Sequence, residues 1–256
     1  MKIFLRVLTA LTTAAVAVLA ILNLPYAKAT APILIVLAAL VQLEFYQLAA
    51  RKYEVQTYPG VLAGLVYLIG LFYAGVDFLI PIVFTFALLA LFSKSARPIE
   101  QLAVTLLGFF YVPWMLHYFI GLAYVKGGDP LWLLYVIAMV KFSDMGGFAL
   151  GVAFGRHKMC PSVSPNKSWE GMFGSVLGGV LMSWFFMRWT GYRLPKAIAL
   201  GVAAAVFGTL GDLVESRIKR EVGAKDSATF MPAGLGGFLD MFDSLLFAPA
   251  LFYDVI

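Results

Sequence analysis

Apolar runs recur along almost the whole of this 256-residue chain, and most are close to the roughly 20 residues that cross a bilayer as a helix. Hydrophobic residues make up 62% of the sequence and charged residues 13%, against about a quarter in ordinary soluble domains. A soluble fold is excluded because so few polar residues cannot cover its surface. The pattern predicts an all-α polytopic membrane protein.

The apolar runs predict about nine transmembrane helices. Their predicted limits are residues 7–24, 32–50, 59–76, 78–93, 102–124, 131–154, 171–189, 195–214 and 234–252. Eight of the 14 acidic residues lie between Asp144 and Asp243. We therefore expect residues 1–125 to form a transmembrane scaffold and residues 126–256 to form the transmembrane catalytic region of one membrane unit.

The N-terminal segment is open to two interpretations. A basic start, an apolar stretch to Leu24 and the triplet Ala27-Lys-Ala29 are compatible with a cleaved secretory signal. The apolar stretch is long for a signal core, and the next apolar run follows almost at once. These features favour an uncleaved first span.

Lysine and arginine set the predicted orientation. With nine spans and a cytoplasmic N-terminus, 13 Lys and Arg residues fall inside and five outside. This places both large polar loops, 155–170 and 215–233, in the cytoplasm. The net charge of +5 follows from the same bias, so it does not indicate nucleic-acid binding. A single cysteine, Cys160, rules out an internal disulfide, and no Cys/His cluster suggests zinc.

Two aspartates near the C-terminus, in Asp240-Met-Phe-Asp243, share one face of a predicted helix. Carboxylates this close repel each other, and burial in an apolar segment adds a desolvation cost. A divalent cation would offset both, and hard oxygen ligands beside phosphates favour Mg²⁺. The alternative is structural: one carboxylate pairs with a nearby cation and the other caps a helix.

Asp212 adds a third carboxylate, and Ser216 follows it four residues later. If the eighth and ninth spans are antiparallel neighbours, Asp212 approaches Asp240 and Asp243 at one membrane face. The three carboxylates and the serine would then form a site for one or two metal ions. An i,i+4 pair between Glu215 and Lys219 is the structural alternative for this stretch.

Basic residues and glycines follow in the same polar segment. Lys219, Arg220 and Lys225, with Asp226 among them, suit a polyphosphate or an anionic headgroup. Gly236 and Gly237, just before a predicted helix, would let backbone N–H groups approach a phosphate. The alternative is that these basic residues only reflect the excess of Lys and Arg that is usual in cytoplasmic loops.

A second polar loop carries further candidates for substrate binding. Lys167 and the hydroxyls of Ser164 and Ser168 could contact phosphate or ribose, although Ser168 is also a plausible N-cap. Asp144 follows Lys141 by three residues, so it forms either a helix-face ion pair or part of a buried polar site. Glu44, alone in an apolar run, could line the site or reach the membrane interface.

These motifs resemble those of the phosphatidate cytidylyltransferases, or CDP-diacylglycerol synthases. The C-terminal polar stretch, residues 216–244, resembles the family signature, and Ser164-Pro-Asn-Lys-Ser-Trp-Glu-Gly171 resembles the family segment S-P-K-K-T-W-E-G. Two departures stand out. Leu235 takes the place of a usual histidine, and Met241 takes the place of the arginine in D-R-x-D.

The resemblance implies transfer of a cytidylyl group from CTP to phosphatidate in the bilayer, giving CDP-diacylglycerol and pyrophosphate for phospholipid synthesis. It implies Mg²⁺, with a second metal ion as an option, and a homodimer in a bacterial-type inner membrane with the site facing the cytoplasm. Metal ligands would be Asp212, Asp240 and Asp243. Ser216, Lys219, Arg220, Lys225 and Asp226 would assist catalysis.

Other functions are also compatible with these residues. A related CTP-dependent lipid kinase, a cytidylyltransferase for another lipid phosphate and a silent homologue are alternatives within the resemblance. A transporter or channel is the alternative from another class. It is less favoured because the carboxylates cluster near one membrane face and no inverted repeat is evident.

Overall fold

The computed structural model describes residues 27–122, 129, 131–225, 227, 237–253 and 255. Helices dominate this part of the chain, and we number them from the first described helix. They are α1 (Ala27–Ala49), α2 (Thr57–Ile69), α3 (Leu79–Leu91), α4 (Pro98–Phe109), α5 (Met115–Leu122), α6 (Leu131–Phe154), α7 (Trp169–Phe185), the short α8 (Met187–Thr190), α9 (Leu194–Glu221) and α10 (Phe238–Tyr253). Two strands, β1 (Lys158–Cys160) and β2 (Ser164–Ser168), form an antiparallel hairpin.

The helical membrane class predicted from the sequence is confirmed. Five stretches of the described chain are long and apolar enough to cross a bilayer: Ala31–Ala49, Thr57–Ala74, Pro98–Leu122, Leu131–Phe154 and Leu194–Glu221. The remaining predicted spans from 78–93 onward overlap the shorter helices α3, α7 and α10. The first predicted span, 7–24, lies outside the described residues, so the total of nine spans and the orientation stay predictions.

Two of the predicted spans contain a π-helical turn. A π-helical turn, Gly70–Ala74, extends α2, and another, Phe110–Trp114, joins α4 to α5. Pro113 lies inside the second turn, and proline lacks the N–H that a regular helix needs. The wider turn accommodates that missing donor without ending the helix.

The helix α9 is longer than its predicted span, 195–214. It continues through the polar residues to Glu221, and Gly223 then adopts a left-handed conformation with φ of 71°. Positive φ is readily available to glycine, so this residue suits the end of the helix. Residues 215–221, expected in a loop, therefore project from one rigid helix.

The helices from α6 onward approach one another at glycines. A Cβ on Gly146 of α6 would lie 2.2 Å from the carbonyl oxygen of Gly174 in α7, and one on Gly211 of α9 would lie 2.3 Å from the carbonyl oxygen of Asp243 in α10. Small residues of this kind allow membrane helices to pack backbone to backbone. This packing holds the polar residues of α6, α9 and α10 in a small space.

Within the described residues, a single apolar core links α1 to α10. Aromatic and aliphatic side chains of α1, α4, α5, α6 and α10 are buried together, among them Phe45, Phe109, Leu116, Tyr135 and Leu246. Close packing of this kind makes the scaffold rigid. The charged residues of α6, α9 and α10 are therefore presented on a fixed frame.

Candidate active site

One face of α9 carries four polar residues: Asp212, Glu215, Ser216 and Lys219. Their spacing of three, four and seven residues places them along a single stripe of the helix. Glu215 is 1% exposed, and Ser216 is half-buried. The stripe faces the hairpin, α6 and α10, which supply the remaining polar groups.

The hairpin brings Lys167 to Asp212. The Nζ atom of Lys167 lies 2.9 Å from Oδ2 of Asp212 and donates a second hydrogen bond of 3.0 Å to the carbonyl oxygen of Thr209. The two side chains are 22% and 26% exposed, so the pair is largely shielded. The polar loop 155–170 is thus in direct contact with α9, near the end of the predicted span 195–214.

A contact at the N-terminal end of α7 fixes that hairpin. Glu170, in the first turn of α7, accepts a 2.6 Å hydrogen bond from Nδ1 of His157, and the backbone N–H of His157 is shared between its two carboxylate oxygens at 3.2 Å. The hydrogen bond from the imidazole is the main reason that the pKa of Glu170 is lowered to about 2. Ser168 caps the helix, as predicted, by accepting a hydrogen bond of 3.1 Å from the N–H of Gly171.

Asp243 joins Asp212 and Asp144 in what we call the aspartate cluster. The three carboxylates are close enough to repel one another electrostatically. They come from α10, α9 and α6, and these helices meet at Gly208, whose side-chain position lies within 4 Å of both Ser244 and Asp144. The expected approach of α9 to α10 is present for Asp212 and Asp243, but Asp144 is the third member, and Asp240 pairs with Lys219 instead.

Lys141 and Ser244 connect the aspartate cluster from the α6 side. Ser244 Oγ donates to Oδ2 of Asp144 at 2.9 Å and accepts from Nζ of Lys141 at 3.0 Å. Lys141 also lies 3.5 Å from Asp144, so the helix-face ion pair considered as an alternative exists within the polar site. Its Nζ donates a further 3.3 Å bond to the carbonyl oxygen of Met241, which places a cation beside that position.

Lys219 bridges two carboxylates, and we call these three residues the Lys219 cluster. Its Nζ lies 2.5 Å from Oε2 of Glu215 and 2.8 Å from Oδ1 of Asp240. The other oxygen of Asp240, Oδ2, accepts a 2.8 Å bond from the N–H of Gly237. The i,i+4 pair of Glu215 and Lys219 weighed from the sequence is therefore present, and it extends to Asp240.

The remaining predicted site residues are placed less centrally or lie outside the described chain. Arg220 donates a 3.2 Å bond to the carbonyl oxygen of Ala224, and Lys225 is exposed. Ser164 pairs with Cys160 at the far end of β2, three residues from Lys167, which is about 10 Å along a strand. Asp226 and Gly236, like Leu235, are outside the described residues.

Sequence reasoning missed several polar residues of the site. It read Lys141 only as an ion-pair partner and gave Ser244 no role, and it left Glu44 open between a site residue and an interface residue. Glu44 is fully buried in α1 and accepts a 2.7 Å bond from the N–H of Leu239 at the start of α10. Its position as the single charge within an apolar run was the available signal.

The donor set suits a hard divalent cation. Three mutually repelling carboxylates supply oxygen atoms, and Lys141 and Lys167 do not fully compensate their charge. Among the residues that the structure describes, no three acidic, His or Cys side chains converge as a complete metal-binding group. A magnesium ion bound by one or two carboxylates, with substrate phosphates and waters completing its shell, fits this arrangement.

Comparison with known proteins gives consistent matches. The chain is 39% identical over 137 residues to the phosphatidate cytidylyltransferase of Mycobacterium bovis, covering 53% of this chain and 44% of that protein. It is 41% identical over 126 residues to that of Haemophilus influenzae, covering 47% and 43%. It is 31% identical over 165 residues to that of Bacillus subtilis, covering 64% and 61%.

These matches cover about half the length of the proteins concerned. The match to the family is broader, because the model of the cytidylyltransferase family aligns with residues 4–256 of this chain. That alignment includes the aspartate cluster, the Lys219 cluster and the hairpin. The chain belongs to the cytidylyltransferase family.

Proposed function

We propose that this protein transfers a cytidylyl group from CTP to phosphatidate, giving CDP-diacylglycerol and pyrophosphate. The observation that carries the proposal is that aspartates of three helices lie close enough to repel one another, with Lys167 paired to Asp212 and Lys141 to Asp144, in a helical membrane protein. The names of the matching relatives support this choice of substrates.

The reaction makes one bond and breaks one. An oxygen of the phosphatidate phosphate attacks the α-phosphorus of CTP, and the bond from that phosphorus to the bridging oxygen of the β-phosphate breaks. Pyrophosphate leaves with the electron pair. The nucleophile is already an anion, so the residues need not remove a proton, and catalysis consists of positioning and charge neutralisation.

The lysines of the site are the groups that would hold the phosphates. Lys167 and Lys219 are each already bonded to carboxylates, so a triphosphate must attract them in competition with Asp212 and Asp240. Arg220, in the last turn of α9, and Lys225, just beyond the helix, are exposed where they could guide an anion toward the stripe. Ser164, Gly236 and Asp226 keep their predicted roles in this proposal, whereas Gly237 donates its N–H to Asp240 and Ser168 caps α7.

We assign the metal to Asp212 and Asp243, with Asp240 as a third ligand once Lys219 turns to substrate. Magnesium supplies neutralisation of the phosphate charge when it is bound. Asp212 and Asp243 provide oxygen atoms from two helices that are fixed against each other at Gly211. Asp144, held by Ser244 and Lys141, adds negative charge beside them.

The proposal also includes the membrane setting. A bacterial-type inner membrane with a cytoplasmic N-terminus would expose the site to CTP, while phosphatidate enters sideways between helices. The 13-to-5 distribution of Lys and Arg supports this orientation. Assembly as a homodimer, which the family resemblance implies, belongs to the same proposal.

Purified protein in detergent, supplied with Mg²⁺, labelled CTP and phosphatidate, tests the proposal. We expect CDP-diacylglycerol and pyrophosphate as products, and we expect Asp243→Asn to abolish their formation. Asp77→Asn is the matched control, because Asp77 lies away from the site and accepts a bond from the N–H of Leu79 that an amide oxygen can also accept. Product identity separates this reaction from a kinase, which would release CDP and a phosphorylated lipid. A wild-type protein that is inactive with several lipid phosphates would refute the proposal.

A further inference from the structure

Within the described residues, the start of α10 has no side-chain cap of its own. Gly237 is the residue just before the helix, and it has no side chain that could accept a hydrogen bond from the first turn. Asp240, three residues on, reaches back to the N–H of Gly237, which is one half of a capping box. The other half needs an acceptor for the N–H of Leu239 or Asp240.

Glu44 supplies that acceptor from a distant part of the chain. Its Oε2 accepts the N–H of Leu239 at 2.7 Å, across 195 residues of sequence. The carboxyl group is fully buried, where an acceptor without donors would be strongly destabilising. Negative charge at the N-terminal end of a helix is also favourable to the helix dipole.

Gly237 is required for this contact. A Cβ at position 237 would lie 2.4 Å from Oε1 of Glu44 and 2.2 Å from Oγ of Ser227. No side chain can therefore replace the glycine while Glu44 keeps its place. The space that a side chain at position 237 would fill is therefore occupied by the carboxyl group of Glu44, which caps the helix from α1.

We infer that Glu44 is a positioning residue for the proposed reaction, acting as a remote N-cap that holds the first turn of α10. That turn carries Asp240, and the next carries Asp243, so its placement against α9 sets the distance between Asp243 and Asp212. The inference rests on the proposed function, and it assigns no contact between Glu44 and substrate or metal. It also gives α1, the scaffold helix, a direct part in shaping the site.

Two substitutions of Glu44 distinguish the effect of its side-chain length from the effect of its charge. Glu44→Gln keeps the length of the side chain and an acceptor oxygen but removes the charge. Glu44→Asp keeps the charge but is one methylene too short to reach Leu239. A remote cap predicts that Gln preserves kcat while Asp lowers it about 10- to 100-fold, the usual effect of an ångström-scale misplacement. We expect KM for CTP to change little in both.

Hydrogen exchange at the start of α10 provides a readout that does not depend on activity. We expect the amides of residues 238–241 to exchange faster in Glu44→Asp than in wild type, and to stay protected in Glu44→Gln. This arm remains informative if the wild-type protein has no cytidylyltransferase activity, so a failure of the proposed function and a failure of the cap can be told apart.

Gln42→Leu is the matched control. Gln42 lies two residues away on α1, is equally buried, and donates instead to the carbonyl oxygen of Gly60 and the hydroxyl of Tyr46. We expect it to lower thermal stability without changing kcat or the exchange of α10. The inference is overturned if Asp is as active and protected as wild type, if Gln is the more damaging change, or if Gln42→Leu has the same effects.

Discussion

The helices α1–α5 and the helices α6–α10 are held together by different means. In the first group, neutral side chains hydrogen-bond across the helices: Tyr46 donates to the carbonyl oxygen of Thr105 at 2.8 Å, and Gln42 donates to that of Gly60 at 2.9 Å. In the second group, backbones touch at glycines, and the long-range bonds include ion pairs such as that of Lys167 with Asp212.

This difference indicates that the contacts of the first group stabilise the fold, while those of the second group can also serve the reaction. A neutral hydrogen bond satisfies both partners and leaves nothing for a ligand to attract. An ion pair keeps unused oxygen lone pairs and a cation that a phosphate can take over. Close glycine contacts are needed in the second group because charges spread over three helices act together only if the helices cannot move apart.

The largest expected effect is at Gly211. Its Cβ, if present, would lie 2.3 Å from the backbone carbonyl oxygen of Asp243, and a backbone atom cannot turn aside. We expect Gly211→Ala to force α10 from α9 and to lower the rate of CDP-diacylglycerol formation by at least about 100-fold. The measurement is the amount of CDP-diacylglycerol formed in detergent under one set of conditions, divided by the amount of folded protein.

Gly208→Ala is the control for this prediction. The same methyl group at position 208 would meet its nearest neighbour at 3.7 Å, which is ordinary contact, and alanine favours a helix. We expect wild-type activity and equal or greater thermal stability. If Gly211→Ala behaves like Gly208→Ala, backbone contact between α9 and α10 is not what orders the aspartates.

The next effect is at Lys167, which tests whether the ion pairs serve the reaction. Lys167→Met removes the donor nearest Asp212 and leaves the carboxylates of the aspartate cluster with less compensating charge. We expect the rate to fall about 100-fold, the scale of losing one charge-stabilising donor, and KM for CTP to rise.

Lys158→Met is the matched change in the same hairpin. Lys158 is exposed and its Nζ contacts only the carbonyl oxygen of Gly155, at 3.4 Å, among the bonds seen in the described chain. Its activity should match wild type. Equal losses in the two variants would mean that the hairpin contributes general charge and not a specific contact.

Much of this arrangement could be predicted from the sequence. Apolar runs located the helices because each must hide its backbone within a bilayer, and the clustering of acidic residues pointed to the second half of the chain. The pairing of Lys167 with Asp212 could not be predicted, because it depends on a hairpin that returns the second loop across α9. The extension of α9 to Glu221 was also missed, since polar residues ended the apolar signal before the helix ended.

Glu44 shows another limit of the sequence. Nothing near it in the chain identifies Leu239 as its partner, and nothing near Gly237 shows that its cap comes from another helix. Asp144 and Lys141 illustrate the opposite case. Their spacing indicated an ion pair, which is present at 3.5 Å, but only the packing of α6 beside α10 places that pair within the aspartate cluster.

A smaller effect, confined to stability, is expected in the first group of helices. Tyr46→Phe removes the hydroxyl that donates to Thr105 and accepts from Gln42, while Gln42 keeps its bond to Gly60. We expect a loss of about 1 kcal/mol in the free energy of unfolding, with kcat unchanged. Denaturant titration in detergent measures the loss. Tyr73→Phe, at a residue 53% exposed, should cost nothing, and a fall in kcat for Tyr46→Phe would break the separation of stability from reactivity.

The smallest effect is expected where the two groups meet at the surface. Lys52, between α1 and α2, forms an ion pair with Glu221 at the end of α9, and the hydrogen bond to that carboxylate raises the pKa of Lys52. Because the pKa is raised in the folded state, the ion pair contributes its full stabilisation at pH values below the usual pKa of lysine. That stabilisation is lost only as the pH rises above this value. The contribution of Lys52 to the free energy of unfolding should therefore stay constant between pH 6 and 9.

Lys52→Met should have no measurable effect on thermal stability at physiological salt. The two side chains are 49% and 41% exposed, so water and ions screen their attraction, and a slight loss should appear only at low ionic strength. Glu44 and Lys52 both join the first group of helices to the second, but Glu44 is buried and aligned on a helix end. If Lys52→Met matched Glu44→Asp in its effect on kcat, connection between the groups, rather than capping of α10, would be what the site requires.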